Sequence, residues 1–251
     1  MFKNYLKIAF RHISRNKTYV LVNVVGLGLA LACCIIAFVN YNTALNADTF
    51  HEQHENIFRV VANNQGLSNP SGNIATPLAP KVESELSGVK AAVRYTKRGV
   101  IAQLNEEVFN DRMAVVDPNF LEVFSYPLIE GDAAALKDPS KVFITEKIAE
   151  KYFGESPALG QTIIINPGQE GQKDLVVGGI LKDLPHTTSL KFDLLTNIAY
   201  LEWGPKPDTL TQWKNSADAT FVLLNNPKER ELVEGQLQDY ITQYNLSLIH
   251  I

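Results

Sequence analysis

His51-Glu52-Gln53-His54-Glu55 is the one place in this sequence where side chains of catalytic type crowd together. A zinc protease helix sets two histidines four residues apart, so both imidazoles face one metal and the glutamate between them acts as base. Here the spacing is three, and no distant third ligand suggests itself, so the cluster reads as a solvated helix segment ahead of a metal site. The other histidines are spread thinly. No G-x-S-x-G elbow and no phosphate-binding G-x-x-x-x-G-K-[ST] loop occurs. The only cysteines, Cys33 and Cys34, lie inside an apolar run, which leaves the rest of the chain without a thiol nucleophile, thiol ligand or disulfide.

Carboxylates are plentiful, and most read as surface solubilisers. Asp117, Asp138 and Asp183 each stand beside or near a proline, where turn formation accounts for them better than acid–base work. Trp203 and Trp213 flank the loop Gly204-Pro-Lys-Pro-Asp208 and read as a local packing cluster ahead of a contact surface. No catalytic residue, metal or cofactor is expected.

The elements that would carry these residues divide sharply. Residues 1–19 hold Lys3, Lys7, Arg11, Arg15 and Lys17 and no acid; the first acid is Asp48. The remaining chain has 18 basic residues against 27 acidic ones, a net charge of −9. A basic head on an acidic body argues against nucleic acid and for a membrane surface. Val20–Tyr41 carries no charge, and at about 1.5 Å per residue it forms a helix of roughly 33 Å, enough to cross a hydrocarbon core. Cations before it and acids after it place the N-terminus in the cytoplasm and everything beyond about residue 42 outside. A cleaved signal peptide would have a shorter head and core. The faint lipoprotein-like Ala30-Leu31-Ala32-Cys33 is followed by more apolar chain where a polar tether would be needed.

Within the head, Lys3, Lys7, Arg11 and Arg15 recur every four residues opposite Phe2, Leu6, Ala9, Phe10 and Ile13. That pattern suits an amphipathic helix in the cytoplasmic interface, and equally a plain basic anchor. In the span, Gly26-xxx-Ala30 and Gly28-xxx-Ala32 permit close approach of another helix.

Beyond the membrane, Asp48–Glu55 reads as a helical continuation and Ile57–Ala62 as a strand. A loop covers 63–73, and a helix capped by Thr76 with Pro77 at its first position runs to about Leu86. Val89–Lys97, Val100–Leu104 and Val108–Val116 read as strands, with turns at Gly99 and Asn105–Glu107. Lys141–Ile144, Thr162–Ile165, Asp174–Leu181, Leu190–Leu195 and Ala219–Leu224 follow as strands. A helix capped by Thr145 runs to Phe153, and Asn226-Pro227 opens a closing helix that fades near Asn245. The class is α+β, with a candidate subdomain boundary at 118–140. The divisions are 1–19 (cytoplasmic amphipathic helix), 20–41 (membrane helix), 42–245 (extracytoplasmic domain) and 246–251 (unassigned tail).

The order of features is more specific than any one of them. After the basic head and first membrane helix come Asp48-Thr-Phe-His51, Ile57-Phe-Arg-Val60 and Thr76-Pro-Leu-Ala-Pro80. Val116-Asp-Pro-Asn-Phe-Leu-Glu-Val-Phe124 leads to Pro127-Leu-Ile-Glu-Gly-Asp132, then to Val142-Phe-Ile-Thr-Glu146 and Ala149-Glu-Lys-Tyr-Phe-Gly154 with Gly160. Gly179-Ile-Leu-Lys-Asp-Leu-Pro185 and Phe192-Asp193 close the series. The chain thereby resembles the MacB/FtsX-like family of ABC transporter permeases, from residue 1 to about 245. The resemblance implies a non-catalytic permease subunit in the inner membrane, working with a partner ABC ATPase and a second permease copy or paralogue in contact with membrane lipid. In the family, ATP hydrolysis moves the extracytoplasmic domain, which acts on an exported or extracted substrate. Three further membrane helices follow the domain in family members, so this sequence looks like an N-terminal fragment. A single-pass sensor or adaptor with a ligand-binding outer domain is the alternative, and a membrane-anchored hydrolase a distant third.

Overall fold

The computed structural model describes residues 2–63, 69–166, 172–203, 208–244 and 248–250. They divide into two units, 1–47 and 48–251, each taken by itself.

The first unit is two helices, α1 (Phe2–Arg15) and α2 (Lys17–Leu45), separated at Asn16, whose φ of −117° and ψ of 50° leave the helical region. α2 holds 29 residues, is long and apolar enough to cross a membrane, and buries none of them against protein. Such exposure costs a soluble protein dearly and suits lipid contact. α1 keeps Lys3, Lys7, Arg11 and Arg15 exposed, and Tyr5, Ile8 and Phe10 are exposed as well.

The second unit is built mainly of strands: β1 (Ile57–Asn63), β2 (Ile74–Ala75), β3 (Val89–Leu104), β4 (Glu107–Val116), β5 (Leu128–Gly131), β6 (Lys141–Thr145), β7 (Thr162–Asn166), β8 (Lys173–Leu181), β9 (Leu194–Asn197), β10 (Ser216–Ala217), β11 (Ala219–Leu224) and β12 (Leu248–His250). Helices α3 (Leu78–Glu85), α4 (Phe120–Val123), α5 (Glu146–Phe153) and α6 (Arg230–Tyr244) are interleaved. The α+β class read from the sequence is the one observed. Leu248–His250, inside the tail left unassigned, pairs with the β1 edge.

Six strands close on themselves. β3 pairs with β4, β4 with β9, β9 with β6, β6 with β8, β8 with β7, and β7 returns to β3 at Ile101–Gln103. Alternation then sends every second side chain into the barrel. Val100, Ala102, Met113, Val115, Val142, Ile144, Ile163, Ile165, Leu175, Val177 and Leu194 fill it, each no more than 4% exposed. α5 packs Ile148 and Tyr152 against the same core. The outward residues of the shared strands, among them Tyr95, Ala114, Phe143 and Leu195, form a second core with Phe120, Phe124, Tyr126 and Phe192. A third core lies where α3 and α6 cover β1, β11 and the start of β3, around Val60, Leu78, Val82, Val222 and Val233. Residues 118–140 do not break the unit, because Phe120, Phe124, Tyr126 and Leu136 are buried in the second core.

Several local expectations need correction. Gly99 makes no turn; β3 runs unbroken for 16 residues and Gly99 pairs with Arg112. The real turn is Asn105-Glu106, with Asn105 at φ +55° between the paired Leu104 and Glu107. The strand expected at Leu190–Leu195 begins four residues later. Thr76 does not cap α3: its hydroxyl donates to the Thr209 carbonyl at 2.8 Å. Thr145 makes no side-chain cap either; Asp183 accepts the Lys147 N–H at 2.9 Å and caps α5 from a distant loop. Asn226 caps its helix as expected, accepting from the Lys228 N–H at 3.0 Å. Of the expected loop at 63–73, residues 64–68 lie outside the described residues, as do 204–207 of the Gly204-Pro-Lys-Pro-Asp208 loop.

Candidate functional site

The segment that follows α2 is the site best built for a task. It was expected to continue the helix, and it does not. Asp48 sits at φ +58°, a left-handed conformation that ends any α-helix and that Asp tolerates better than most residues. Its backbone N–H donates to the Thr187 carbonyl at 3.1 Å. Its carboxylate accepts the Ser189 N–H at 2.8 Å and the Thr188 hydroxyl at 3.2 Å. Two partners for one carboxylate oxygen, plus a backbone bond, hold the left-handed turn in place.

Three residues on, His51 is 1% exposed. The solvated cluster expected here is corrected at His51, while Glu52, His54 and Glu55 are exposed: the imidazole is enclosed by Phe50, Phe124 and Tyr126, with ring centroids 4.0, 5.1 and 5.0 Å away. Its Nδ1 accepts the Ser125 N–H at 3.1 Å, while the Ser125 hydroxyl accepts the Glu52 N–H at 3.1 Å. Burial pulls the His51 pKa down from 6.5 to about 4; Asp48 opposes the shift and His54 adds to it. His51 is therefore neutral at pH 7, with its proton on Nε2. Among the described residues that atom has no hydrogen-bond partner. His54 is turned elsewhere, its Nδ1 2.9 Å from the His51 carbonyl oxygen. The two histidines share no metal site, and among the described residues no group of three or more His, Cys, Asp or Glu could hold one.

Residues 48–56 are thus an anchor. Phe50 and Ile57 pack on the second core, Ser125 and Tyr126 grip His51, and Thr188 bridges Asp48 to the Tyr126 hydroxyl, which lies 3.0 Å from its own. The sequence offered one overlooked signal: a histidine flanked by Phe50 in a chain whose other aromatics cluster at Phe120–Tyr126.

Other singled-out residues lie elsewhere. Asp117 is no simple turn former; it pairs with Arg94 inside the domain. Asp138 does make a turn, accepting from Ser140 N–H and hydroxyl at 2.9 and 2.7 Å. Trp203 packs on the barrel core and Trp213 on the third core, so they form no common cluster. At Gly26 and Gly28 an added Cβ would meet nothing within 4 Å, which leaves α2 open at both positions. An open groove of about 550 Å³ lies over Gly99, Ile101, Asn110 and Arg112, beside the ion pair of Arg112 with Asp193 at 2.9 Å.

A family model described as the MacB-like periplasmic core domain matches residues 20–240. Among solved structures, a domain assigned to a permease protein of Porphyromonas gingivalis is similar with a TM-score of 0.64 and 24% identity over 77% of this chain and 86% of that one. The extracellular domain of a noncanonic ABC-type transporter, YknZ, from Gram-positive bacteria gives 0.58 and 15% over 78% and 98%. The periplasmic region of MacB from Actinobacillus actinomycetemcomitans gives 0.57 and 13% over 80% and 91%. At these identities the structures establish the shared fold. No curated protein matches.

Proposed function

The chain belongs to the MacB-like periplasmic core domain family, a domain of ABC-type transporter permeases, and on that premise we propose that it is the membrane-entering part of a permease that passes motion outward. The observation that carries the proposal is the direct sequence of a membrane-length helix, two linking residues (Asn46 and Ala47) and an anchor fastened at Asp48 and His51. Displacement of the helix end then reaches the second core, whose Phe143 and Leu195 are also staves of the barrel wall. A family of this kind needs no catalytic residue in the permease chain.

In this reading an ABC ATPase in the cytoplasm supplies the motion, and the outer domain acts on an exported or extracted substrate. The N-terminus is cytoplasmic, held there by Lys3, Lys7, Arg11 and Arg15 against anionic lipid or the ATPase, and residues 42–245 stand outside the inner membrane. Gly26, Gly28, Ala30 and Ala32 receive a neighbouring membrane helix, from a second permease copy or paralogue. Purification of the tagged full-length protein from native membranes, followed by mass spectrometry, is expected to bring an ABC ATPase with it. Repeated preparations free of any such ATPase would defeat the proposal.

A further inference from the structure

The anchor contains a polar contact that works in only one protonation state. His51 Nδ1 must be bare to accept the Ser125 N–H, and its other nitrogen already carries a proton with no acceptor nearby. Adding a proton would turn that acceptor into a donor facing another donor, inside a box of three aromatic rings. We propose that His51 is a proton-operated latch: acid releases residues 48–56 from the Ser125–Tyr126 segment while the barrel stays folded. This goes beyond the transporter reading and does not depend on it.

The surroundings decide whether the cation has anywhere to go. On its own segment His51 faces Asp48 and His54; the segment packed against it contributes Tyr126, and residues 187–189 bring only hydroxyls. Among the described residues Asp48 is the one anion acting on His51, and its carboxylate is already engaged by Ser189 and Thr188. His54, if charged, repels a second cation. The aromatic rings offer some cation–π attraction, with Phe124 and Tyr126 in edge geometry at 71° and 79°, but no acceptor to replace the lost hydrogen bond. The depressed pKa of about 4 agrees with this account. Opening the latch lets water reach the imidazolium and also frees the Glu52 N–H from Ser125. The barrel core is made of aliphatic side chains, Met113 and the rings of Tyr152 and Tyr200, and no residue of the latch belongs to it.

The test is amide exchange on the full chain in lipid nanodiscs, with each rate referred to its intrinsic value at that pH. Between pH 6 and 3.5, protection at residues 50–54 and 124–126 is expected to fall at least tenfold, while β3 and β4 keep theirs. His51→Asn keeps an acceptor oxygen where Nδ1 stood and cannot titrate, so its anchor is expected to stay protected throughout. Asp48→Asn removes the one carboxylate and is expected to leave the transition in place. Unchanged protection in the wild type would overturn the latch. So would a transition that persists in His51→Asn, or one that vanishes only in Asp48→Asn. As a readout independent of the variants, the ¹³Cε1 resonance of His51 is expected to titrate together with the loss of protection; titration near 6.5 with the anchor still closed would also overturn it.

Discussion

Arg94 and Asp117 meet fork to fork inside the domain, Nε 2.9 Å from one carboxylate oxygen and Nη2 2.6 Å from the other. The backbone N–H of Arg94 adds a bond of 2.6 Å to the same carboxylate, and Nη1 donates to the Thr76 carbonyl at 3.0 Å. Both residues are buried, at 7% and 8% exposure. One carboxylate thus ties β3 to the chain entering α4, and the guanidinium ties both to the start of α3. Removing one charge leaves the other buried without its partner, so Asp117→Ala is expected to cost about 3–5 kcal/mol. Arg94→Met with Asp117→Leu, which removes both charges, is expected to cost less than either single change. Thermal melts of the four proteins in one detergent check this; a double variant worse than both singles would refute it.

Two glycines separate turn chemistry from mere smallness. Gly131 closes β5 at φ +94°, and an added Cβ would run into the Gly178 carbonyl oxygen, a backbone atom that cannot swing aside. Gly131→Ala is expected to cost about 1–3 kcal/mol and to disorder the β5–β8 edge. Gly99 has open space above it and lies mid-strand, so Gly99→Ala is expected to be neutral or to stabilise by about 0.4–1 kcal/mol. Comparison of unfolding midpoints decides both.

The barrel predicts a similar contrast on neighbouring strands. Ile163 is fully buried among aliphatic neighbours, so Ile163→Ala is expected to cost about 2–5 kcal/mol through lost burial and the cavity left behind. Ile101, 40% exposed on the outer face of β3, is expected to cost well under half as much when changed to Ala. Equal losses in calorimetry would mean that β7 does not close the ring.

Legibility in the sequence followed locality. α2, β4 and β11 announced themselves through charge, turn residues and alternation, and Ala219–Leu224 was read to the residue. Gly99 misled because a glycine in a long strand looks like a turn when the partner strand cannot be seen. Closure of the barrel depends on β7 returning to β3 across some sixty residues, and no local pattern encodes that pairing. The anchor was hidden for the same reason: His51 is defined by Ser125, and Asp48 by Thr187–Ser189, both far along the chain. Family resemblance rested on the order of short motifs and so survived these local errors.

Stability should depend on pH through His51, with a definite sign. Its folded pKa of about 4 lies below the usual 6.5, so between those values the unfolded chain binds more protons than the folded one. The contribution is therefore whole above pH 6.5, shrinks as pH falls, and is gone below about 4. At one pKa unit per 1.36 kcal/mol, the total is about 3 kcal/mol. In denaturant melts, wild type is expected to lose most of that amount relative to His51→Asn between pH 7 and pH 4.5. Wild type gaining stability relative to His51→Asn in acid would contradict the burial of a neutral imidazole.

Orientation is the prediction on which the transport reading stands. Of the five cations of residues 1–19, four precede α2 and Lys17 opens it, whereas the next Lys or Arg after the helix is Arg59. Because acidic residues count for little in topology, the bias comes from cations alone. Changing Lys3, Lys7, Arg11 and Arg15 to Gln leaves only Lys17, and adding Asn42→Lys and Asn46→Lys puts two cations on the far flank. That variant is expected to insert in both directions or inverted. The unaltered chain should export a phosphatase reporter fused behind residue 60 in active form, and protease added outside should reach the domain. A reporter active only in the cytosol would place the anchor, barrel and groove on the ATPase side of the membrane, where a helix-driven outer domain has no meaning.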